Sequence, residues 1–272
     1  MVQTILRKYG IRGGYHDQHF LINKTILDSI VEVAHLTPED TVLEIGAGIG
    51  NLTERLLPRA KKVIAIEFDR RLVDVLEDRF KEVGNLEIIH GDVLAIDLPV
   101  FDKVVANLPY SISSEITFKL FKQKFKLGIL MYQYEFAKRM VSPCNSKDYS
   151  RLSVNTNYFA DASIIMKVPA SAFSPPPEVR SAVVELIPRP SPFKVDNADF
   201  FLRFVTAVFS QRRKKLKNAI INANYMLGVG NIKQIVGQLP VEFMGKRAEN
   251  LEPRELADIA NRILILAHKE AT

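Results

Sequence analysis

The chain contains a single cysteine, Cys144, among its 272 residues. One thiol can form neither an internal disulfide nor a thiolate metal site, so a reducing compartment is expected. No apolar run reaches the roughly 18 to 20 residues that a membrane-spanning helix needs, and the first residues lack the apolar stretch of a signal peptide. These absences predict a soluble cytoplasmic protein without a bound metal.

The composition is that of a globular protein with an excess of positive charge. Apolar residues make up 47% of the chain, and 37 lysines and arginines face 31 acidic residues, which gives a net charge of +6. From residue 195 onward, 12 basic residues stand against 8 acidic ones. A basic balance suits a polyanionic partner, so the C-terminal part is the candidate region for binding nucleic acid.

Short β-rich segments alternate with amphipathic segments between Thr41 and about Leu186. Between the second and third of these β-rich segments, Arg70–Lys81 carries apolar residues at helical spacing, as a crossover helix would. This alternation predicts an α/β fold with a parallel, Rossmann-like sheet covered by helices on both faces. The predicted strands are Thr41–Ile45, Lys62–Glu67, Leu86–Ile89, Lys103–Ala106 and Leu127–Tyr132.

The proline-rich stretch Pro188–Pro192 can continue neither a helix nor a central strand. Beyond it the sequence has helical periodicity and no convincing strand. We therefore predict a Rossmann-like α/β domain at residues 1–190 and a small helical domain at residues 191–272. Helices are expected at Phe200–Phe209, Arg212–Leu227, Ile232–Leu239 and Pro253–Leu266.

A glycine-rich turn, Gly46-Ala47-Gly48-Ile49-Gly50, follows the first predicted strand and precedes a predicted helix at Asn51–Leu57. Glycines allow a tight turn and a close approach of the main chain to a ligand. In dinucleotide enzymes the third glycine falls one residue later than Gly50. The spacing therefore favours S-adenosylmethionine over NAD as the cofactor.

Two carboxylates follow the next strands at matching positions. Glu67 ends the second strand, about 20 residues after Gly46, where a carboxylate can accept hydrogen bonds from both ribose hydroxyls. Asp92 follows the third strand and is placed to accept from the amine of the cofactor's adenine. Either residue alone could be a solvated carboxylate, but together with the glycines they predict a cofactor site.

The tetrapeptide Asn107-Leu108-Pro109-Tyr110 follows the fourth strand and indicates the acceptor. The lone pair of an adenine N6 amine is delocalised into the ring. Hydrogen-bond acceptors at the Asn107 side chain and at the Leu108 or Pro109 carbonyl would pull that nitrogen toward tetrahedral geometry, and Tyr110 would stack on the base. The alternative is an ordinary turn, for which asparagine and proline are also typical.

Together these segments resemble the ribosomal RNA adenine dimethyltransferase family of the KsgA type, with the erythromycin-resistance methyltransferases as cousins. The resemblance covers nearly the whole chain. It rests on Asp17–Leu21, Leu43–Thr53, Glu67, Gly91–Asp92, Asn107–Tyr110, Tyr149–Val154, Phe173–Val184 and Gln211–Lys217.

The resemblance implies further roles. Gln18, His19 and Leu21 would line the methionine end of the cofactor together with Asn107, although His19 stands where the family usually has asparagine. Phe173 would close on the face of the target base opposite Tyr110. The basic run, which we expect on a helix, would bind RNA phosphates through Arg212, Arg213, Lys214, Lys215 and Lys217. The N-terminal Arg7, Lys8 and Arg12, interleaved with Tyr9 and Tyr15, would extend this surface.

The function implied is dimethylation of two adjacent adenines in a small-subunit ribosomal RNA hairpin, with a role in subunit biogenesis, by a monomer that binds no membrane. Two alternatives stay open at this point. One is a resistance-type enzyme that acts on large-subunit RNA, and the other is an RNA-binding assembly factor that has lost methyl transfer.

Overall fold

The computed structural model describes residues 2–11 and 18–271. Its centre is a seven-stranded sheet in the order β4-β3-β2-β5-β6-β9-β7. Five of these strands are parallel and coincide with the predicted ones to within a residue: β2 Thr41–Ile45, β3 Lys62–Glu67, β4 Leu86–His90, β5 Lys103–Asn107 and β6 Leu127–Gln133. In β2, β3, β5 and β6 consecutive residues are buried, as expected for strands covered on both faces.

The expectation of a wholly parallel sheet was wrong on one side. The strand β9, Ser181–Pro188, pairs antiparallel with β6, and β7, Ala160–Val168, lies at the edge next to it. Burial alternates along β7, so only one of its faces is covered, which hides it from a search for continuous apolar runs. A separate antiparallel pair joins β1, Phe20–Leu21, to β8, Phe173–Ser174.

Short helices connect the strands. Asn23 and Asp69 cap α2 and α4 through side-chain oxygens that accept from main-chain N–H groups, which satisfies donors that a helix start leaves unpaired. In α4 the buried residues Leu72, Val73, Val75 and Leu76 form one apolar face. The helices are α1 Val2–Lys8, α2 Lys24–Val33, α3 Thr53–Leu56, α4 Arg70–Arg79, α5 Ser113–Leu120 and α6 Tyr134–Val141.

The chain divides into two compact units. The first comprises Met1–Ala137 and Ala162–Pro188, and the second comprises Lys138–Asp161 and Arg189–Thr272. Residues 138–161 therefore belong to the helical unit, although they precede the last strands of the sheet. A functional division at residue 190 stays a prediction.

The second unit is built from helices around an aromatic-rich core. Phe201 and Phe204 are fully buried on α8, and Tyr158 and Phe193 pack against Phe201. Within residues 2–11 and 18–271, no helix is long and apolar enough to cross a membrane. The helices are α7 Arg151–Phe159, α8 Ala198–Ser210, α9 Leu216–Asn222, α10 Asn224–Leu227, α11 Ile232–Gly237, α12 Val241–Met244 and α13 Pro253–Ala271.

Only the last two residues of the basic run, Leu216 and Lys217, lie on a helix, whereas the whole run was predicted to be helical. Residues 211–215 form a turn between α8 and α9, in which the Lys214 N–H donates to the Gln211 carbonyl at 2.8 Å. Lys215 then forms an isolated antiparallel bridge with Arg247. The predicted single helix Arg212–Leu227 was therefore wrong, because a contact distant in sequence replaces its first turn.

Candidate active site

The carboxyl ends of the parallel strands meet at one edge of the sheet and border a cavity of about 620 Å³. This volume suits a nucleoside-sized ligand. All but one of the residues predicted for the cofactor and acceptor sites line the cavity: Gln18, His19, Leu21, Gly46, Gly48, Glu67, Asp92, Asn107, Leu108, Pro109 and Tyr110. The exception is Phe173.

The glycine turn requires its glycines. Gly48 and Gly50 have φ angles of +60° and +82°, which side-chain-bearing residues rarely adopt. A Cβ on Gly48 would lie 3.3 Å from the ring of Phe20, and one on Gly50 would lie 2.5 Å from the ring of Phe80. Conformation and packing therefore require glycine at both positions, and Gly48 presents main chain, not side chain, to the cavity.

Glu67 is held by the main chain around it. Its Oε2 accepts from the Gly48 N–H at 2.8 Å, and its Oε1 accepts from the N–H groups of Phe68 and Asp69, both at 2.9 Å. Burial raises the pKa of Glu67 despite the lowering effect of these bonds. A carboxylate offers about four lone-pair positions, so one position on Oε2 remains for a ligand hydroxyl. Accepting from both ribose hydroxyls would require one main-chain bond to open.

Asp92 is exposed at the cavity wall, where its Oδ1 accepts from the Leu94 N–H at 2.8 Å. The loop that carries Asp92 is fastened by Lys119 of α5. The Lys119 ammonium donates to the Leu94 carbonyl at 3.1 Å and to the Ile96 carbonyl. The second carboxylate oxygen of Asp92 is the atom available to a ligand amine.

Gln18 links the segment before β1 to the start of α4. Its Nε2 donates to Asp69 Oδ2 at 3.1 Å, while its Oε1 is buried without a hydrogen-bond partner in the described part of the chain. Hydrogen bonds from Arg71 lower the pKa of Asp69 to about 2, so this carboxylate stays ionised. Gln18 therefore presents an unpaired acceptor at the cavity.

Asn107 presents a second unpaired acceptor. Its Nδ2 donates to the His19 carbonyl at 3.2 Å, which fixes the orientation of the amide, since a carbonyl can only accept. The opposite atom, Oδ1, is buried and has no partner among the described residues. A buried acceptor without a donor is costly, so this oxygen is suited to a ligand N–H.

The next two residues differ in how their carbonyls are used. The Pro109 carbonyl already accepts from Ser113 Oγ at 3.0 Å and from the Ile112 N–H at 3.4 Å. These two donors occupy both of its lone pairs. Of the two carbonyls predicted as the second acceptor, the geometry favours that of Leu108.

The Tyr110 side chain is held at two places. Its hydroxyl is 2.6 Å from Ser181 Oγ, and its ring lies nearly parallel to that of His19, with centroids 6.2 Å apart and an interplanar angle of 26°. His19 Nδ1 is 2.9 Å from the Pro175 carbonyl oxygen. Since a carbonyl can only accept, the His19 nitrogen is the donor. His19 thus contacts both the acceptor tetrapeptide and the loop after β8.

Phe173 does not line the cavity. Its side chain is only 3% exposed and packs in the core with Leu21 and Met131, and its main chain pairs with Leu21 in the β1–β8 ladder. A base sandwich between Tyr110 and Phe173 is not formed in this conformation, so the role of Phe173 against the base stays a prediction.

Three cavity residues were missed by the sequence interpretation. Glu44 on β2 is fully buried; burial raises its pKa to about 8, and its carboxyl accepts from Thr53 Oγ1 at 2.6 Å. Phe68 lines the cavity with 66% of its surface exposed, and His90 Nε2 donates to the Phe68 carbonyl at 3.1 Å. For Phe68 and His90 the available signal was their position directly beside Glu67 and Gly91 at strand ends, and for Glu44 it was a carboxyl group within the apolar strand β2.

The helical unit carries a separate basic cleft. Arg213, Lys214 and Lys215 line it together with Lys246 and Arg247, which the bridge between Lys215 and Arg247 brings alongside. Lys217 is exposed on α9 outside the cleft wall.

Arg212, by contrast, has partners within its own unit. It donates to Glu249 Oε2 at 2.6 Å and to the Lys147 carbonyl at 2.5 Å. Of the N-terminal residues expected to extend the basic surface, Lys8 forms an ion pair with Asp78 at 2.7 Å. Arg12, Tyr15 and the motif residue Asp17 lie outside the described residues.

Comparisons with known proteins converge. A model of the ribosomal RNA adenine dimethylase family matches residues 14–262. A probable ribosomal RNA small subunit methyltransferase A of Methanococcoides burtonii is 70% identical over 263 residues, which cover 97% of each chain. A protein of the same description from Pyrococcus abyssi is 42% identical, over 94% of this chain and 93% of its own.

Two solved structures agree with this result. A dimethyladenosine transferase from Plasmodium falciparum matches with a TM-score of 0.77 and 36% identity, over 93% of this chain and 98% of its own. The 23S rRNA methyltransferase ErmE matches with a TM-score of 0.65 and 26% identity, over 90% of this chain and 99% of its own. They confirm the predicted Rossmann-like methyltransferase fold, and the chain belongs to the ribosomal RNA adenine dimethylase family.

Proposed function

We propose that this protein transfers methyl groups from S-adenosyl-L-methionine to the N6 amines of two adjacent adenines in a small-subunit ribosomal RNA hairpin, during subunit biogenesis. The family match and the names of its relatives support this activity. The observation that carries the proposal is the buried Oδ1 of Asn107, which has no partner among the described residues, in the wall of a cavity that Tyr110 also lines.

The residues present fit the cofactor. The main-chain turn at Gly46 and Gly48 leaves room for close approach, Glu67 keeps one lone-pair position for a ribose hydroxyl, and Asp92 keeps one oxygen for the adenine amine. Gln18, His19 and Leu21 would enclose the methionine end together with Asn107. When bound, S-adenosylmethionine supplies the electrophilic methyl group.

The acceptor amine is held by two oxygens. Asn107 Oδ1 accepts one N6 hydrogen and the Leu108 carbonyl accepts the other, which draws the nitrogen lone pair out of conjugation. Both oxygens are fixed before the substrate arrives, so they stabilise the positive charge that develops on the amine without reorganisation. The amine proton becomes acidic once the new N–C bond has formed, so no dedicated base is needed.

The target base has to leave its stack to reach this cavity. Tyr110 offers a π-face for it, and stacking contributes about 1 to 3 kcal/mol per base. Phe173 would supply the second face only after moving out of the core, a movement that the β1–β8 pairing opposes. A single-stranded or loop adenine is therefore the preferred substrate.

The helical unit supplies the RNA-binding surface in this proposal. Arg213, Lys214, Lys215 and Lys217 are exposed, and Lys246 and Arg247 add to the charge of the cleft. Each phosphate contact releases a counterion, so affinity should fall steeply with salt. Arg212 is held by Glu249 and Lys147, so its predicted role is to brace the turn as well as to contact RNA.

The deciding experiment measures incorporation of labelled methyl groups into unmethylated small ribosomal subunits and into protein-free large-subunit RNA, followed by nucleoside analysis. Dimethyladenosine in the small subunit is expected. Labelling of large-subunit RNA alone would support the resistance-type alternative. If neither RNA is labelled while the cofactor still binds, the result would support an assembly factor or an enzyme for another RNA acceptor. Cytoplasmic location and a monomeric state stay predictions.

A further inference from the structure

The hydrogen bond between Tyr110 and Ser181 connects the cavity to the sheet. Ser181 is fully buried at the start of β9, where it lies opposite Gln133 of β6, and its Oγ is 2.6 Å from the Tyr110 hydroxyl. The residues that follow it on β9, Ala182, Val183 and Val184, are apolar and fully buried. A hydroxyl in such surroundings is costly unless it is paired, and Tyr110 pairs it.

The bond acts at the end of the tyrosine ring that is farthest from the main chain. Tyr110 begins a short 3₁₀ turn, Tyr110–Ile112, after β5, and its ring turns about two side-chain bonds. The hydroxyl oxygen lies on the axis of the second of these bonds, so the bond to Ser181 fixes the first rotation and the direction of the ring axis, while the nearly parallel ring of His19 limits the second rotation. Because β9 is paired on both sides within the sheet, Ser181 offers a rigid anchor. Ser181 therefore sets the direction of the ring axis, and His19 helps to set the ring plane, before a base arrives.

We propose that Ser181 is a positioning residue for methyl transfer, whose hydroxyl orients Tyr110 so that the ring face meets the target adenine. This inference rests on the proposed function, because it gives the bond a role only if Tyr110 stacks on a base. Misplacing the base by a fraction of an ångström would move the N6 nitrogen off the line of transfer, which lowers the rate without weakening cofactor binding.

The same unit contains a matched control. Thr117 Oγ1 lies 2.9 Å from the Tyr132 hydroxyl, and both residues are fully buried. Tyr132 does not line the cavity. Deleting its hydroxyl therefore removes the same kind of bond from the same sheet without touching the substrate side.

The test uses Ser181→Ala, Tyr110→Phe and the double variant of the full chain, with small ribosomal subunits as substrate. Phenylalanine keeps the stacking face and loses only the hydroxyl. We expect each single variant to lower kcat about tenfold, as the loss of one hydrogen bond would, with an unchanged dissociation constant for the cofactor. The double variant should lose no more than either single variant, because both delete one shared interaction.

The control Tyr132→Phe should keep the wild-type kcat at a temperature where it is folded. Wild-type kcat in Ser181→Ala or Tyr110→Phe, or additive losses in the double variant, would overturn the inference and leave the proposed function standing. If Ser181→Ala does not fold, Tyr110→Phe still deletes the bond from the cavity side. A wild-type protein that methylates no adenine would overturn the proposed function, and the inference with it.

Discussion

Two walls of the cavity use their polar groups differently. On the cofactor wall, formed by the Gly46–Gly50 turn, Glu67 and Asp92, main-chain N–H groups donate three hydrogen bonds to the Glu67 carboxylate and one to the Asp92 carboxylate. On the acceptor wall, formed by Asn107–Tyr110, Asn107 Oδ1 is buried without a partner in the described part of the chain. We therefore expect substitutions on the cofactor wall to change mainly the affinity for the cofactor. Substitutions on the acceptor wall should change mainly the rate of methyl transfer.

The largest effect is expected on the acceptor wall. Asn107→Ala removes the oxygen that accepts from the amine, so kcat should fall roughly 10²- to 10³-fold, as when one preorganised transition-state contact is lost. Cofactor affinity, measured by calorimetry, should change far less. Asn107→Asp is the companion variant, since it keeps an oxygen but loses the donor to the His19 carbonyl. If Asn107→Ala lowered cofactor affinity more than kcat, the two walls would not differ in function as proposed.

On the cofactor wall, Glu67→Ala should weaken cofactor binding by about 1 to 3 kcal/mol, because it removes a ligand contact and leaves main-chain N–H groups unpaired. Glu87→Ala is the control, since Glu87 is a glutamate on the neighbouring strand β4 and forms its ion pair with Lys62 at the surface. Calorimetry that finds equal affinity for wild type and Glu67→Ala would contradict this role.

Behind the cofactor wall, Glu44 should make stability depend on pH. Burial raises its pKa from 4.5 to about 8, so the folded protein keeps a proton that the unfolded chain releases between these values. Stability contributed by this group is therefore lost as pH rises from about 4.5 toward 8. Glu44→Gln is neutral throughout, so its melting temperature should exceed that of the wild type at pH 8 and match it near pH 4.5. A pH-independent difference would show that Glu44 is ionised when buried.

The smallest expected effect is that of Phe68, the exposed apolar residue beside Glu67. Phe68→Ala should raise the cofactor dissociation constant roughly fivefold, by removing apolar surface that a bound nucleoside would cover. Its melting temperature without cofactor should stay unchanged, since 66% of the side chain is exposed. A change in kcat at saturating cofactor would place Phe68 on the acceptor wall instead.

The parallel half of the sheet and the cavity wall were predictable, because buried parallel strands appear as continuous apolar runs and their functional residues follow directly at the ends. Glu67, Asp92 and Asn107 all meet at one edge for this reason. The strand β7 was missed because a half-exposed strand lacks that signal. The strand β9 does contain a buried apolar run, Ala182–Val184, but it was not predicted as a strand, and its antiparallel pairing with β6 is a contact distant in sequence.

Contacts distant in sequence could not be predicted. The helical expectation failed for residues 212–215 because Lys215 pairs with Arg247, and that pairing also brings Lys246 and Arg247 into the basic cleft. The membership of residues 138–161 in the helical unit has the same origin, since local periodicity does not say which unit a helix packs in. Ser181 was likewise hidden, because its partner lies 71 residues away.

Hydrogen exchange beside the short ladder between β1 and β8 can show how often these two strands separate. The N–H groups of Ile22 and Asn23 both donate to the Ala172 carbonyl, at 2.9 and 3.2 Å, beside the two-residue strands. Strands this short are not stable alone, so their amide protons exchange with solvent whenever the two segments separate. Deuterium uptake at these two amides therefore reports how often the segment that contains β1 separates from the segment that contains β8.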